Sequence, residues 1–271
     1  MALPQGGVAS PTLANMTLDG LEKAVKAVSS QRDKVNFIRY ADDFVVTASS
    51  KEHLENVVLP TIRQFLSARG LTISDEKTQI ARIEQGFDFL GQNVRKYGDK
   101  LIIKPAKENI CSFKEKVKSI IVEGRGWNAE SLINKLTPVI RGWANYHRAI
   151  QSSRTFSTVH YYIDNALLKW AKRSNPNKPL KWICQRFYGL SSKGRFSCMA
   201  KTQAGITEML ELLSPCDVSL VRYIKIRGNS NPFHRDSSAY FFMRRQAKNY
   251  HPLGVNTLTA GLPLNEGLSG A

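Results

Sequence analysis

Hydrophobic positions along this chain switch between two periods. From Phe37 to Ala48 two short apolar runs, Phe37-Ile38-Arg39-Tyr40 and Phe44-Val45-Val46, flank the adjacent carboxylates Asp42 and Asp43. Aromatic and β-branched residues favour strands, and Asp favours turns. The pattern predicts a β-hairpin with Asp42 and Asp43 at or beside its tip. Upstream, Leu13, Met16, Leu18 and Leu21 have helical spacing, with Ser10 as the cap of a helix beginning at Pro11. Downstream, Leu54, Val57, Val58, Ile62, Phe65 and Leu66 form a helical stripe. Ser49-Ser50-Lys51-Glu52 resembles a capping box, Gly70 suits the C′ position, and Pro60 should kink or split the helix. Phe87-Asp88-Phe89-Leu90-Gly91 opens a strand, Gly98-Asp99 is a two-residue turn, and Lys100–Ile103 is the return strand.

Beyond residue 103 the period is helical. Ile110, Phe113, Val117, Ile120 and Ile121 share one stripe, and a second, capped by Asn128, carries Leu132, Ile133, Leu136, Ile140 and Trp143. Phe156, Val159, Ile163, Leu167 and Trp170 form a third, and Leu180, Ile183, Cys184 and Phe187 a short fourth. Short connections between such helices predict a bundle. Ile206, Met209, Leu210 and Leu213 predict one more helix, Val218 to Ile226 a strand, and residues 251–271 a disordered tail. The fold class expected is α+β: an antiparallel sheet with helices over 1–103, an all-α basic bundle over 104–190, and a basic extension over 191–250.

Charge divides the chain in the same place. Residues 1–103 carry 13 basic and 12 acidic residues, whereas 104–271 carry 26 and 10, which accounts for nearly all of the net +17. So positive a segment implies a polyanionic partner, foremost nucleic acid. An anionic membrane is the lesser alternative, since no long uncharged apolar run is present. Cys111, Cys184, Cys198 and Cys216 form no Cys-x-x-Cys pair, so zinc is not expected. They read as reduced thiols of an intracellular protein.

Two carboxylates held together need a cation to offset their repulsion, and hard oxygen donors suit Mg²⁺. Tyr40-Ala41-Asp42-Asp43 between two apolar strands resembles the metal-binding hairpin of reverse transcriptases, in the variant of group II intron-encoded proteins. Pro4-Gln5-Gly6-Gly7-Val8-Ala9-Ser10-Pro11, Phe89-Leu90-Gly91 and Gly142-Trp143-Ala144-Asn145-Tyr146 are similar to further motifs of that family, in the same order. The resemblance covers roughly residues 3–245 and implies a partial palm followed by a thumb/maturase domain. It implies Asp42 and Asp43 as catalytic and metal-binding residues, with Gln5, Gly6, Gly7 and Lys77 beside nucleotide and template. It implies Phe89, Leu90 and Gly91 as a grip on the primer end.

Around the fourth motif, basic and aromatic residues interleave, which marks Arg141, Tyr146, His147 and Arg148 as candidate RNA contacts. Trp143 sits on the apolar stripe, where packing in the core outranks stacking on a base. The function implied is RNA-directed DNA synthesis at a two-metal Mg²⁺ site, with binding of group II intron RNA for splicing. The partners are that RNA, an RNA template and a DNA primer, and the setting is bacterial cytoplasm or an organellar matrix. In the family another catalytic Asp precedes the Pro-Gln-Gly motif, which here follows Met1 almost directly. The expectation is therefore an incomplete metal site, completed by a separate N-terminal reverse-transcriptase chain. The alternative is an RNA-binding maturase remnant without polymerase activity.

Overall fold

A computed structural model describes residues 9–201, 205–221, 226 and 230–250 of the chain. It divides into two units, Met1–Phe89 and Leu90–Ala271. Gln5, Gly6 and Gly7, the basic residues Arg222, Lys225 and Arg227, and the tail over 251–271 lie outside the described residues.

In the first unit, α1 (Ser10–Thr17) has Ala9 rather than Ser10 at its N-cap, with no side-chain cap. Pro11 is tolerated in the first turn because its missing N–H has no intrahelical partner there. α2 (Leu21–Ala27) follows Gly20, whose φ is +86°. β1 (Asn36–Tyr40) and β2 (Asp43–Thr47) pair antiparallel, with Tyr40 opposite Asp43 and Phe37 opposite Val46. One face of this hairpin turns Phe37, Phe44 and Val46 onto a core of Leu18, Leu21, Val25, Val58, Ile62 and Leu66. Phe37 and Phe44 stack at 5.6 Å.

Pro60 splits the next helix as expected. α3 (Lys51–His53) runs into a π-helical turn (Leu54–Val58) before α4 (Leu59–Ser67). A proline ring crowds the carbonyl four residues earlier, and the wider turn gives it room. The N-cap is Ser50, whose Oγ accepts the His53 N–H at 3.1 Å. Gly70 (φ +68°) closes the far end: its N–H reaches the Ser67 carbonyl at 3.0 Å and the Leu71 N–H reaches that of Leu66 at 3.0 Å. This is the Schellman pair of bonds, with Gly70 at C′. β3 (Phe87–Phe89) is the last element of the unit.

The second unit begins with the hairpin of β4 (Gln92–Tyr97) and β5 (Lys100–Pro105), joined by the two-residue turn Gly98-Asp99, with Gly98 at φ +57°. Four helices follow: α5 (Lys107–Glu123), α6 (Ala129–His147), α7 (Ser153–Ser174) and α8 (Leu180–Tyr188). Asn128 caps α6, its Oδ1 accepting the Ser131 N–H at 2.8 Å. The apolar stripes meet in one core, with Val117, Leu132, Leu136, Ile140, Val159 and Leu167 all fully buried. Trp170, Phe187 and Phe196 form an aromatic floor at one end, Phe187 and Phe196 lying parallel at 5.5 Å.

The units divide at Phe89/Leu90, and the β4–β5 hairpin is bonded to the helical segment. The Gln151 N–H donates to the Ile103 carbonyl at 2.9 Å, and Tyr146 Oη to that of Leu90 at 2.5 Å. Residues 206–213 are not a helix: β7 (Thr207–Glu211) pairs with β6 (Ser197–Lys201), Met209 opposite Met199. Residues 218–221 of the expected strand Val218–Ile226 are not in a strand, and 222–225 lie outside the described residues. The whole is a mixture of helices and small antiparallel sheets. Beyond β7, the described residues include α9 (Ser238–Tyr250). No helix among the described residues is long and apolar enough to cross a membrane.

Candidate functional site

The hairpin tip presents the paired carboxylates. With Tyr40 opposite Asp43, the loop is two residues, Ala41 and Asp42, and Asp43 is the first residue of β2. Ala41 has φ +54°, a left-handed conformation that costs a residue with a Cβ roughly 1–2 kcal/mol. Arg39 holds it there: its Nη1 donates to the Ala41 carbonyl at 2.9 Å and to Asn15 Oδ1 on α1 at 2.9 Å. Asp42 and Asp43 are both exposed, and so is Tyr40 beside them. A strained, braced turn carrying two solvent-facing carboxylates is a rigid oxygen-donor site. Mg²⁺ commonly binds through one or two carboxylates plus substrate phosphates, which these two residues fit. Among the described residues no group of three His, Cys, Asp or Glu stands together. Asp42 and Asp43 offer oxygen donors that one cation could share, and a second cation would need donors beyond them.

Lys77, the expected phosphate neighbour, is exposed on a turn over Asp75–Lys77. Ser74 holds that turn by accepting the Thr78 hydroxyl at 2.7 Å and the Lys77 N–H at 3.2 Å. Arg63 on α4 pairs with Asp75 at 2.6 Å.

The second unit is the basic one. Residues 1–89 carry 10 basic against 11 acidic residues, and residues 90–271 carry 29 against 11. Dividing the chain at Phe89/Leu90 therefore sharpens the charge division. Arg141 is exposed on α6, and Arg148 is half-buried just past its end, with Nη1 3.4 Å from Asn145 Oδ1.

The other two candidates in that stretch make hydrogen bonds within the unit. Tyr146 is 50% exposed, but its hydroxyl donates to the Leu90 carbonyl at 2.5 Å. His147 is 0% exposed, so its side chain presents no surface to RNA in this structure. The imidazole instead joins a hub on Asn109, a residue that sequence reasoning passed over. Asn109 Oδ1 lies 2.8 Å from Trp143 Nε1 and 2.8 Å from His147 Nε2. An indole N–H only donates, so the amide must turn Oδ1 toward it, and His147 must then carry its proton on Nε2. His147 Nδ1 is left as a bare, buried acceptor without a partner. Burial pushes the His147 pKa down to about 4, since a proton on Nδ1 would have nothing to bond. Trp143 stacks on Phe113 at 4.4 Å, the core role expected of it.

Leu90 and Gly91, two of the expected grip residues, adjoin this hub. Phe89 ends β3, while Leu90 (φ +50°) and Gly91 (φ +70°) are both left-handed. A Cβ on Gly91 would sit 2.8 Å from Asn109 Nδ2. Phe89, Leu90 and Gly91 are all half-buried, and the Gly91 carbonyl accepts the Ala106 N–H at 3.0 Å.

Elsewhere in the unit, Arg195 bridges Glu211, at 3.2 Å, and Asp217. Burial pushes the Asp217 carboxyl up, but bonds from Arg195 and the Ser214 N–H hold it below the usual carboxylate range. These contacts fasten the β6–β7 hairpin.

Comparison with known proteins matches both units. Residues 1–94 match the family described as reverse transcriptase (RNA-dependent DNA polymerase), and residues 110–189 match the group II intron, maturase-specific domain. A protein of Schizosaccharomyces pombe called "Uncharacterized 91 kDa protein in cob intron" is 25% identical over 177 residues, 57% of this chain and 22% of the relative. "Maturase-like protein 1" of Euglena longa is 28% identical over 142 residues, and that of Euglena gracilis 27%, each covering 51% of this chain and 28% of the relative. The chain therefore spans about a quarter of the length of the curated relatives it matches.

Proposed function

Because the chain belongs to the group II intron reverse transcriptase/maturase family, we propose that it takes part in RNA-directed DNA synthesis through Asp42 and Asp43 and binds intron RNA through its basic second unit. The observation that carries this reading is the hairpin tip, where Arg39 braces a left-handed Ala41 and leaves both carboxylates facing solvent. Asp42 and Asp43 would hold Mg²⁺ there. A cation bound there would lower the pKa of a primer 3′-hydroxyl, and a second cation, on further donors, would offset charge on the departing pyrophosphate. Lys77, exposed on its turn, adds a positive charge for that pyrophosphate. Gln5, Gly6 and Gly7 would act in binding nucleotide and template, and Phe89, Leu90 and Gly91 in binding the primer end, as the family's motifs imply. Binding to intron RNA uses Arg141, Arg148, the exposed ring of Tyr146 and the wider excess of charge over residues 90–271.

A second reading is favoured by one observation: no third metal-ligating side chain stands with Asp42 and Asp43 among the described residues. On that reading the chain binds intron RNA and performs no nucleotidyl transfer. Primer extension on an RNA template with Mg²⁺ separates the two. Extension by the wild-type chain that Asp42→Asn abolishes supports the enzyme. RNA binding without extension supports the binding protein.

A further inference from the structure

A cleft of about 620 Å³ opens in the second unit between the start of α6, the end of α7, α8 and β6. Its volume falls within the usual range for small-ligand sites, about 300–1,000 Å³. Trp170, Trp182, Phe187 and Met199 give it flat, apolar walls, and Glu130 and Arg186 are its charged groups. Trp170 and Phe187 belong to the aromatic floor of the core, packed edge to face at 5.9 Å, so that side of the cleft is rigid. Trp182 is different: it is 37% exposed, on the outer side of α8, with the Lys178 ammonium 5.4 Å from its ring. Met199 is 48% exposed on the facing strand. Glu130 and Arg186 both act on Cys198, whose thiol burial pushes up, with the carboxylate adding to that and the guanidinium opposing it. Both charges therefore stand at the same wall.

The surroundings select the ligand. Residues 165–207 contain nine Lys or Arg and no Asp or Glu. Lys172, Arg173, Lys178, Lys181 and Arg186 are exposed around the ends of α7 and α8. A phosphate chain is attracted to this margin and to Arg186 at the cleft's rim, while Glu130 on the same wall favours a hydrogen-bond donor over an anion. What fits inside is a flat, neutral ring that stacks on tryptophan and offers an N–H edge to a carboxylate.

We infer that this cleft receives an unpaired nucleobase of a single-stranded RNA segment, stacked on Trp182, with its donor edge toward Glu130 and its flanking phosphates on Lys178, Lys181 and Arg186. The inference rests on the RNA-binding reading above and adds a site specific for single strands. A base inside a duplex is paired and stacked, and cannot enter.

The test compares the full chain's affinity for an unstructured single-stranded oligoribonucleotide and for a blunt RNA duplex of equal length, each across a salt titration. Trp182→Ala is expected to weaken single-strand binding about 5- to 150-fold, the effect of one lost stacked base. Duplex affinity and the salt slope stay as in wild type, because no phosphate contact is removed. Trp182→Phe keeps a stacking face and most of the affinity. Met199→Trp, which fills the cleft from the exposed face of β6, gives the same selective loss without depending on Trp182. Unchanged single-strand affinity in both Trp182→Ala and Met199→Trp, or equal losses for single strand and duplex, overturns the inference and leaves RNA binding standing. A wild-type chain that binds neither RNA overturns both readings.

Discussion

Replacing Gly91 by Ala tests the hub that ties α5, α6 and the start of the second unit together. Two costs arise. A Cβ at φ +70° costs roughly 1–2 kcal/mol. It also lands 2.8 Å from Asn109 Nδ2, so that amide must move. Asn109 is the single acceptor for both Trp143 Nε1 and His147 Nε2, and shifting it weakens both bonds. Each is worth about 0.5–1.5 kcal/mol, and more if a donor is left buried and unpaired. The expected loss is about 3–4 kcal/mol. Gly98→Ala is the internal reference: its φ is +57°, but its Cβ meets nothing within 4 Å, so only the backbone cost of about 1–2 kcal/mol applies. Urea unfolding followed by tryptophan fluorescence reads the second unit alone, since all four tryptophans, Trp127, Trp143, Trp170 and Trp182, lie there. Gly91→Ala should lose about 2 kcal/mol more than Gly98→Ala, and in an Asn109→Ala background that excess should vanish. Equal losses at the two glycines would refute the hub.

Further outcomes follow from the same geometry. His147 is held neutral in the fold, with a pKa near 4 against about 6.5 when unfolded, so its contribution is complete above pH 6.5 and is lost as pH falls toward 4, by at most about 3 kcal/mol. Urea midpoints measured across that window should flatten in His147→Gln. Arg195→Gln leaves the half-buried Glu211 and the exposed Asp217 carboxylates without their cation and should cost about 1–2 kcal/mol by thermal or urea unfolding. Arg195→Lys should recover only part, since an ammonium does not bond two carboxylates in a fixed fork. RNA affinity of the full chain should fall steeply with salt, and charge reversal at Arg141 should reduce the slope by about one.

The hairpin was legible in the sequence because both signals are local: β-formers on each side and Asp in between. The pattern left open whether the two carboxylates occupy the tip or flank it, and the pairing of Tyr40 with Asp43 puts only Asp42 in the loop. Pro60, Gly70, Asn128 and Gly98-Asp99 behaved as their backbone chemistry requires. The segment over 206–213 did not, because four apolar residues fit a helical period as well as a strand, and only pairing with Ser197–Lys201 decides.

The Asn109 hub left a fainter trace. Asn109 precedes Phe113 and Val117 at helical spacing, and His147 follows Ile140 and Ala144 likewise, so each is a polar residue on an apolar stripe. That placement is the signal of a buried hydrogen bond, but not of its partner. His147 read as basic and RNA-facing because sequence shows charge without burial. The cleft at Trp182 had no sequence signal, since its walls come from segments distant along the chain.

The most direct test of the account is Mg²⁺-dependent primer extension on an RNA template by the purified chain, beside Asp42→Asn. The proposed function predicts extension in the wild type and a loss on the order of 10²-fold or more in the variant, at unchanged RNA affinity. Extension that persists undiminished in Asp42→Asn would contradict it, because the chemistry would then not depend on the hairpin carboxylates.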